Sequence, residues 1–392
     1  MTLDSLKYQR ILDERLKKHF SHYREVLILL GPRQAGKTTL LQRVFPEAQY
    51  YLVDNEPVRK LLESYDVKTY STFIRPNSSV IIDESHLLNN PGRMAKIIHD
   101  QIPGVKLILT GSSSFHLKKG TQESLAGRKI DYNLFPLTLE EYLFQTGIEP
   151  EIQFNLFHNL FSNEKETIPK LYDLKAILEN LLIYGLFPNS INHPQDRLYL
   201  KNFVDSIIYK DLLGTGLIEN QRVASDLLKL LAYQIGNLVN YSELATKLGV
   251  DQRTIKRYIQ IFEDSFLIVR IPPFIPNPRD AVVKSDKIYF LDLGIRNALL
   301  EDYNDIRLRP DAGALFENFI IIEVLKANLY MNANYHLHFW RSRQGSEVDL
   351  ILTKGKEIYA VEIKMSKQKK NRAFMNKFPE AKFTSITMEN LL

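Results

Sequence analysis

Gly31-Pro32-Arg33-Gln34-Ala35-Gly36-Lys37-Thr38 decides how this chain is read. The apolar run Val26-Leu27-Ile28-Leu29-Leu30 precedes it, and Thr39-Leu40-Leu41-Gln42 follows. Strand, glycine-bounded loop and helix, in that order, form the setting in which a P-loop cradles polyphosphate. Successive backbone N–H groups and the positive end of the helix would face the anion. Gly31 and Gly36 are expected to let the backbone approach phosphate oxygens with no Cβ in the way. Pro32, Arg33, Gln34 and Ala35 complete the loop, and Thr39 lies just beyond it. Lys37 is expected to reach the terminal phosphates, and Thr38 to offer its hydroxyl to Mg²⁺. The expected ligand is ATP with Mg²⁺.

Working outward, three more strand candidates alternate with helical stretches: Gln49–Val53, Ser79–Glu84 and Val105–Ser112. Continuous apolar runs separated by helices predict a parallel sheet covered on both faces, with ligands at the carboxyl ends of its strands. Asp83, Glu84 and Ser112 fall at such ends. Asp83 is placed to hold Mg²⁺, directly or through water, and Glu84 to polarise an attacking water. Ser112, or its neighbour Ser113, either senses the γ-phosphate or caps a helix.

Composition bounds the rest. A chain of 392 residues predicts two or three domains. Apolar and charged contents of 44% and 25% are ordinary for a globular protein. No cysteine is present, which excludes disulfides and thiolate metal sites and fits a reducing, cytoplasmic setting. No run approaches the roughly 18 apolar residues of a membrane span, and Met1-Thr2-Leu3-Asp4 does not read as a secretory signal. A net charge of +5 is too mild to name a partner. Residues 1–24 read as an amphipathic helix packed beside the nucleotide site.

Further along comes Leu125-Ala126-Gly127-Arg128. Together with the P-loop, Val80–Glu84 and Leu109-Thr110-Gly111-Ser112, it resembles the AAA-type ATPase domain of a large prokaryotic group, in which that domain is joined to a C-terminal domain catalogued as DUF4143. The resemblance spans almost the whole chain. It implies ATP hydrolysis and assembly into a homo-oligomer, with an arginine reaching the γ-phosphate of a neighbouring subunit. Arg128 is the candidate; a surface or intramolecular salt bridge is the alternative. Tyr184-Gly185-Leu186-Phe187-Pro188 is similar to a Gly-Gly-aromatic-Pro signature of the group, with Leu186 in place of the second glycine. Lys287–Asn297 is similar to a second signature, a strand, an Asp and a glycine-started helix.

The remaining pattern predicts an α/β chain in four parts. Residues 1–145 form the P-loop parallel-sheet ATPase domain and 146–221 a helical linker or lid. Residues 222–278 form a winged helix-turn-helix, and 279–392 a C-terminal α/β, nuclease-like (restriction-endonuclease-like) domain. In the third part, Ser242–Leu248 reads as a short helix ended by Gly249, and Asp251 caps the next. That helix would expose Gln252, Arg253, Lys256, Arg257 and Gln260 to DNA or to a protein partner. The proline-rich stretch Pro272–Pro278 suggests a boundary.

At the C-terminus, Glu347–Leu352, a turn at Lys354-Gly355-Lys356 and Tyr359–Lys364 read as a β-hairpin. A two-residue turn at Gly355-Lys356 would set Asp349 opposite Glu362, with Lys364 on the same face. Glu317, on the helix before, could join them. Asp349 followed by Glu362-Ile363-Lys364 matches a PD-(D/E)xK nuclease motif, in which Asp349 and Glu362 would bind Mg²⁺ or Mn²⁺ and Lys364 would orient or help deprotonate water. An inert nuclease-like fold and a plain hairpin with cross-strand ion pairs are the alternatives. Five basic residues between Lys364 and Arg372 suit either a phosphate backbone or a solvated loop.

These readings converge on an ATP-hydrolysing AAA-type motor acting on DNA, which would translocate, remodel branched or duplex DNA, or gate metal-dependent cleavage by the C-terminal domain. The rivals are a nucleotide-dependent regulatory switch that binds partners without cutting, and an autonomous nuclease regulated by ATP. No membrane partner is expected.

Overall fold

The computed structural model describes residues 9–112, 125–148, 160, 174–208, 212, 216–275, 285–366 and 372–391. Ser113, much of the linker, Pro276–Pro278 and Lys367–Asn371 lie outside the described residues. The chain condenses into two compact units, Met1–Leu137 with Asp264–Phe266, and Thr138–Glu263 with Leu267–Leu392.

In the first unit the described elements are α1 (Asp13–His22), β1 (Val26–Leu30), α2 (Lys37–Val44), β2 (Gln49–Leu52), α3 (Glu56–Leu62), α4 (Val67–Ser71), β3 (Ser79–Asp83), a 3₁₀ turn (Ser85–Leu87), α5 (Pro91–Gln101), β4 (Lys106–Gly111) and β5 (Lys129–Asn133). The strands form one parallel sheet in the order β2-β3-β4-β1-β5. Its central strands are buried along their apolar residues: Val26, Ile28, Leu30, Val80, Ile82, Leu107 and Leu109 share a core with Met94, Ala95 and Ile98 of α5. This is the sheet that the apolar runs predict. The edge strand β5 escapes that reading because Lys129-Ile130-Asp131-Tyr132-Asn133 is mostly polar and only partly buried.

In the second unit the elements are α6 (Leu139–Gln145), α7 (Leu174–Tyr184), α8 (Asn189–Asn192), α9 (Arg197–Ile207), α10 (Gln221–Tyr233), α11 (Tyr241–Leu248), α12 (Gln252–Asp264, whose last residue falls in the first unit), β6 (Ile268–Ile271), β7 (Lys287–Phe290), α13 (Leu293–Leu300), α14 (Ala312–Tyr330), β8 (His336–Arg341), β9 (Glu347–Lys354), β10 (Glu357–Ile363), α15 (Arg372–Lys377), β11 (Lys382–Ile386) and α16 (Met388–Leu391). Where a winged helix-turn-helix was expected, α10, α11 and α12 are followed by β6, which pairs antiparallel with β7 beyond the expected bound at 278. Gly249 ends α11 at φ +65°, and Asp251 accepts the Arg253 amide at 2.6 Å. The C-terminal sheet runs β11-β10-β9-β8.

Contacts in the second unit cross the expected divisions at residues 145, 221 and 278. The Leu139 amide at the start of α6 donates to the buried Glu323 carboxylate of α14 at 2.7 Å, so α6 belongs with the second unit. No boundary falls at Pro272: Phe339 of β8 donates to the Pro272 carbonyl at 3.1 Å, and Phe274 donates back to Phe339 at 2.6 Å. Helix α13 packs on α7, α9 and α10 and joins the supposed linker to the rest.

The two signature stretches explain that joint. Asp292 accepts the amides of Leu186 at 2.6 Å and Ile295 at 3.2 Å. Asn297 donates to the carbonyls of Leu182 and Ile183 at 2.9 and 2.8 Å. A Cβ on Gly185, itself at φ +76°, would meet Asp292 Oδ1 at 2.1 Å. The signatures are therefore two halves of one buried contact.

Candidate functional site

The P-loop curls as its glycines demand, though each glycine answers a different demand. Gly36 sits at φ +93° as the residue before α2, and Gln34 is also left-handed at φ +61°. Gly31 packs against β5's continuation: a Cβ there would lie 2.0 Å from the Leu134 carbonyl oxygen. That close contact is a packing demand on Gly31 beside the approach to phosphate expected of it. Lys37 is 5% exposed and caps the loop from within, donating to the Gly31 and Pro32 carbonyls at 2.9 and 3.0 Å. Pro32 and Ala35 are buried, Arg33 is partly buried, and Gln34 and Thr39 are exposed. Arg10, unremarked in the sequence, buttresses the loop by donating to the Ala35 and Phe135 carbonyls at 2.8 and 2.7 Å. Asp13 of α1 in turn grips Arg43 of α2.

Asp83, 2% exposed at the end of β3, is the hub. Thr38 Oγ1 donates to its Oδ2 at 2.6 Å, and the Tyr50 hydroxyl donates to the same oxygen at 2.5 Å. Thr110 Oγ1 donates to Oδ1, as does the Glu84 amide at 3.1 Å. Burial, and then the negative Asp83, push the Tyr50 phenol well above its usual range, so it stays a donor. These are oxygen donors around one carboxylate, which suits a hard cation such as Mg²⁺; that ion takes one or two protein ligands and completes its shell with water and phosphate. The expected pair Thr38–Asp83 is brought together. Tyr50 and Thr110 were missed, although a threonine interrupting the apolar run Leu107-Ile108-Leu109 was a visible signal.

Glu84 follows in a left-handed conformation, φ 57° and ψ 37°, and its amide also donates to Thr110 Oγ1 at 3.0 Å. Its carboxylate lies 3.2 Å from His86 Nδ1, and His86 Nε2 lies 3.4 Å from Ser112 Oγ. Ser112 is buried where β4 ends. Arg128 lies elsewhere. Its carbonyl accepts from the Val26 amide at the start of β1, the opposite end of that strand from the P-loop. Five strand residues separate those ends by about 16 Å. Its guanidinium pairs with Asp100 of α5 at 3.2 Å.

In the second unit the hairpin register is the one expected. Lys354 faces Glu357 across Gly355-Lys356, and the ladder runs to Leu350↔Val361, which sets Asp349 and Glu362 as the next facing pair. Asp349 Oδ2 accepts the Ile363 amide at 2.7 Å and Lys364 Nζ at 2.9 Å; Lys364 also lies 3.5 Å from Glu362 Oε1. Burial disfavours the Lys364 charge, yet Asp349 outweighs it and raises the lysine pKa. Glu317 takes part through different partners. It accepts from the Tyr289 hydroxyl at 2.6 Å and from Lys287 Nζ at 3.2 Å. Asn318 fixes this register by exchanging hydrogen bonds of 2.7 and 2.8 Å with the Phe290 backbone. Lys287, 3% exposed, also pairs with Glu347 and lies 5.5 Å from the Phe339 ring centre. Burial opposes its charge, but Glu317 and Glu347 raise its pKa overall. Burial raises the Glu317 pKa against the attraction of Lys287. Lys287, Tyr289 and Glu347 were not foreseen as members of this cluster.

Among the described residues no three His, Asp or Glu side chains are grouped to hold a metal ion. At Asp349 and Glu362 one ammonium group, Lys364, lies against both carboxylates.

Comparison with known proteins bears on both units. Residues 23–143 match the family model described as an AAA domain. Residues 312–386 match a domain of unknown function, DUF4143. The N-terminal region is therefore an AAA domain, ATPase-like in type, and the C-terminal region a DUF4143 domain. Between them, residues 175–305 match another domain of unknown function, DUF8612, which takes in part of the expected linker and the whole of the expected winged helix. An uncharacterized protein of Mycobacterium tuberculosis is 26% identical over 350 residues, 88% of this chain and 71% of its own. One of Methanocaldococcus jannaschii is 27% identical over 371 residues, 87% of this chain and 76% of its own. Among solved structures, a Walker-type ATPase of Pyrococcus abyssi aligns at TM-score 0.49 and 13% identity, over 75% of this chain and 96% of that one. No described helix is long and apolar enough to cross a membrane.

Proposed function

We propose that the protein is an ATP-hydrolysing AAA-type motor that acts on DNA. The observation that carries the hydrolytic part is the 2.6 Å contact between the P-loop hydroxyl of Thr38 and the buried Asp83 carboxylate. The loop amides and Lys37 would bind the triphosphate. Thr38 and Asp83 would hold Mg²⁺, which neutralises phosphate charge when bound. Glu84 takes a proton from the attacking water, and Ser112 orients it. Arg128 is too far from this chain's own P-loop to serve it, which favours action on a second copy, and hence a homo-oligomer.

The DNA part is supported by α12, where Gln252, Arg253, Lys256 and Arg257 are exposed on one winged-helix-like element. Two features temper its charge: Arg257 pairs with Glu219 at 3.1 Å, and Arg270 pairs with Glu263. Protein recognition by the same face is the regulatory-switch reading. Cleavage is not part of the proposal. Asp349 and Glu362 share one ammonium, Lys364, which occupies the space a divalent ion would take and offsets only part of their charge.

The test is steady-state ATP hydrolysis with single-stranded, duplex and four-way-junction DNA, with a cleavage readout in Mg²⁺ and Mn²⁺. Hydrolysis lost in Lys37→Ala, and stimulated severalfold by DNA in the parent, supports the motor. Hydrolysis indifferent to every DNA favours the switch.

A further inference from the structure

We propose that His86 is a positioning residue that ties the Glu84 carboxylate to the Ser112 hydroxyl and so fixes where the hydrolytic water is held. The inference deepens the ATP-hydrolysis reading and rests on it.

The imidazole bridges the ends of two neighbouring strands. Glu84 directly follows β3, Ser112 directly follows β4, and the two strands pair in parallel. His86 stands between them, with Nδ1 in close polar contact, 3.2 Å from Glu84 Oε2 though outside hydrogen-bond geometry, and Nε2 3.4 Å from Ser112 Oγ. Its own placement is fixed from below. The turn that carries it is anchored by fully buried Ser85, whose Oγ donates to the Thr110 carbonyl at 2.8 Å. The Thr110 side chain in turn binds both Asp83 and the Glu84 amide. The imidazole is therefore referenced to the same threonine as the carboxylate expected to hold the cation. Its side chain is only 16% exposed, so solvent competes weakly for these contacts.

Chemistry gives such a residue work to do. A general base must lie within hydrogen-bond reach of the proton it removes, and bases are commonly oriented by a third group. Glu84 has a long, flexible side chain on a backbone in the sparsely populated left-handed region. The imidazole limits where that carboxylate can go. In the step served, the water oxygen bonds to the γ-phosphorus and its proton passes to Glu84. The bond from the γ-phosphorus to the bridging oxygen breaks, and ADP keeps that electron pair. His86 neither gains nor loses a proton. It orients Glu84 and, through Nε2, the Ser112 hydroxyl.

The test uses the full-length protein and reads kcat and KM for ATP separately, with melting temperature as a fold control. His86→Ala is expected to lower kcat about 10–100-fold and to leave KM within about twofold, since the triphosphate is gripped by other groups. The side-chain amide introduced by H86N can stand in for Nδ1 beside Glu84 and should restore several-fold of the loss. H86Q, which reaches toward Ser112 instead, should not. An unchanged kcat in H86A, or a loss confined to KM, overturns the proposal. If H86A does not fold, equal rates for H86N and H86Q overturn it. A parent protein that hydrolyses no ATP overturns the hydrolytic reading and this inference together; normal parental hydrolysis with an indifferent H86A overturns this inference alone.

Discussion

Both units gather carboxylates, but they balance them in opposite ways. In the AAA domain, Asp83 is ringed by neutral hydroxyls from Thr38, Tyr50 and Thr110, so its negative charge is hydrogen-bonded yet not cancelled. In the DUF4143 region, Glu317, Glu347, Asp349 and Glu362 face the ammonium groups of Lys287 and Lys364, which cancel much of theirs. The first arrangement invites a cation; the second already contains two. A motif lists the acids in a site, whereas the groups between them decide what it can bind.

The largest effect is expected where charge is uncancelled. Asp83→Asn should reduce ATP hydrolysis at least about 100-fold with the melting temperature little changed, and Mg²⁺ titration of the rate should lose its saturable phase. Next, Lys287→Met takes the buried ammonium from Glu317 and from the partly exposed Glu347 and should destabilise the protein by about 3 kcal/mol in denaturant melts. Pairing it with Glu317→Gln should recover part of that loss. If Lys287→Met instead left stability intact and created tight Mn²⁺ binding with DNA cleavage, the contrast between the two sites would break in an informative way.

Smaller effects sharpen the same contrast. Thr110→Val leaves Asp83 and the Glu84 amide short of one buried partner and should cost about 1–3 kcal/mol, together with a loss of hydrolysis. Tyr50→Phe removes one of two hydroxyls on Asp83 Oδ2; because Tyr50 is about one-third exposed, water can replace it, and the rate should fall less than tenfold.

Much of this was legible in the sequence. The P-loop, β3 with Asp83, and the Asp349–Glu362 register follow from local patterns: an apolar run, a glycine spacing, a two-residue turn. What escaped depends on contacts between distant segments. Tyr50 reads as a half-exposed strand residue until β2 pairs with β3 and brings it to Asp83. Lys287 reads as the first residue of a signature; only the Asn318–Phe290 contact, set by the docking of α14, turns it toward Glu317. Contacts across the expected domain divisions stayed hidden for the same reason, since Asp292 meets Leu186 across 106 residues. Gly31 carries a packing demand that stayed hidden because β5 was too polar to be seen beside it.

The smallest predicted effect concerns pH. His19 is buried, with its ring nitrogens 3.0 Å from the Tyr132 hydroxyl and 2.9 Å from the Glu25 carbonyl. Burial lowers its pKa below the ordinary value of 6.5. A base with a lowered folded pKa takes its proton more readily when unfolded, so its share of stability is present above pH 6.5 and is lost as the pH falls below that value. The melting temperature should drop modestly between pH 7 and about pH 5, and His19→Gln should flatten that slope.

One measurement bears most directly on the claim that Asp83 stands ready for a cation beside bound triphosphate: ATP hydrolysis by the purified full-length chain, titrated with Mg²⁺, for the parent and Asp83→Asn side by side. A parental rate that rises and saturates with Mg²⁺, and its disappearance in the folded variant, is the predicted result. A parent inert at every Mg²⁺ concentration, or a variant as fast as the parent, would contradict it.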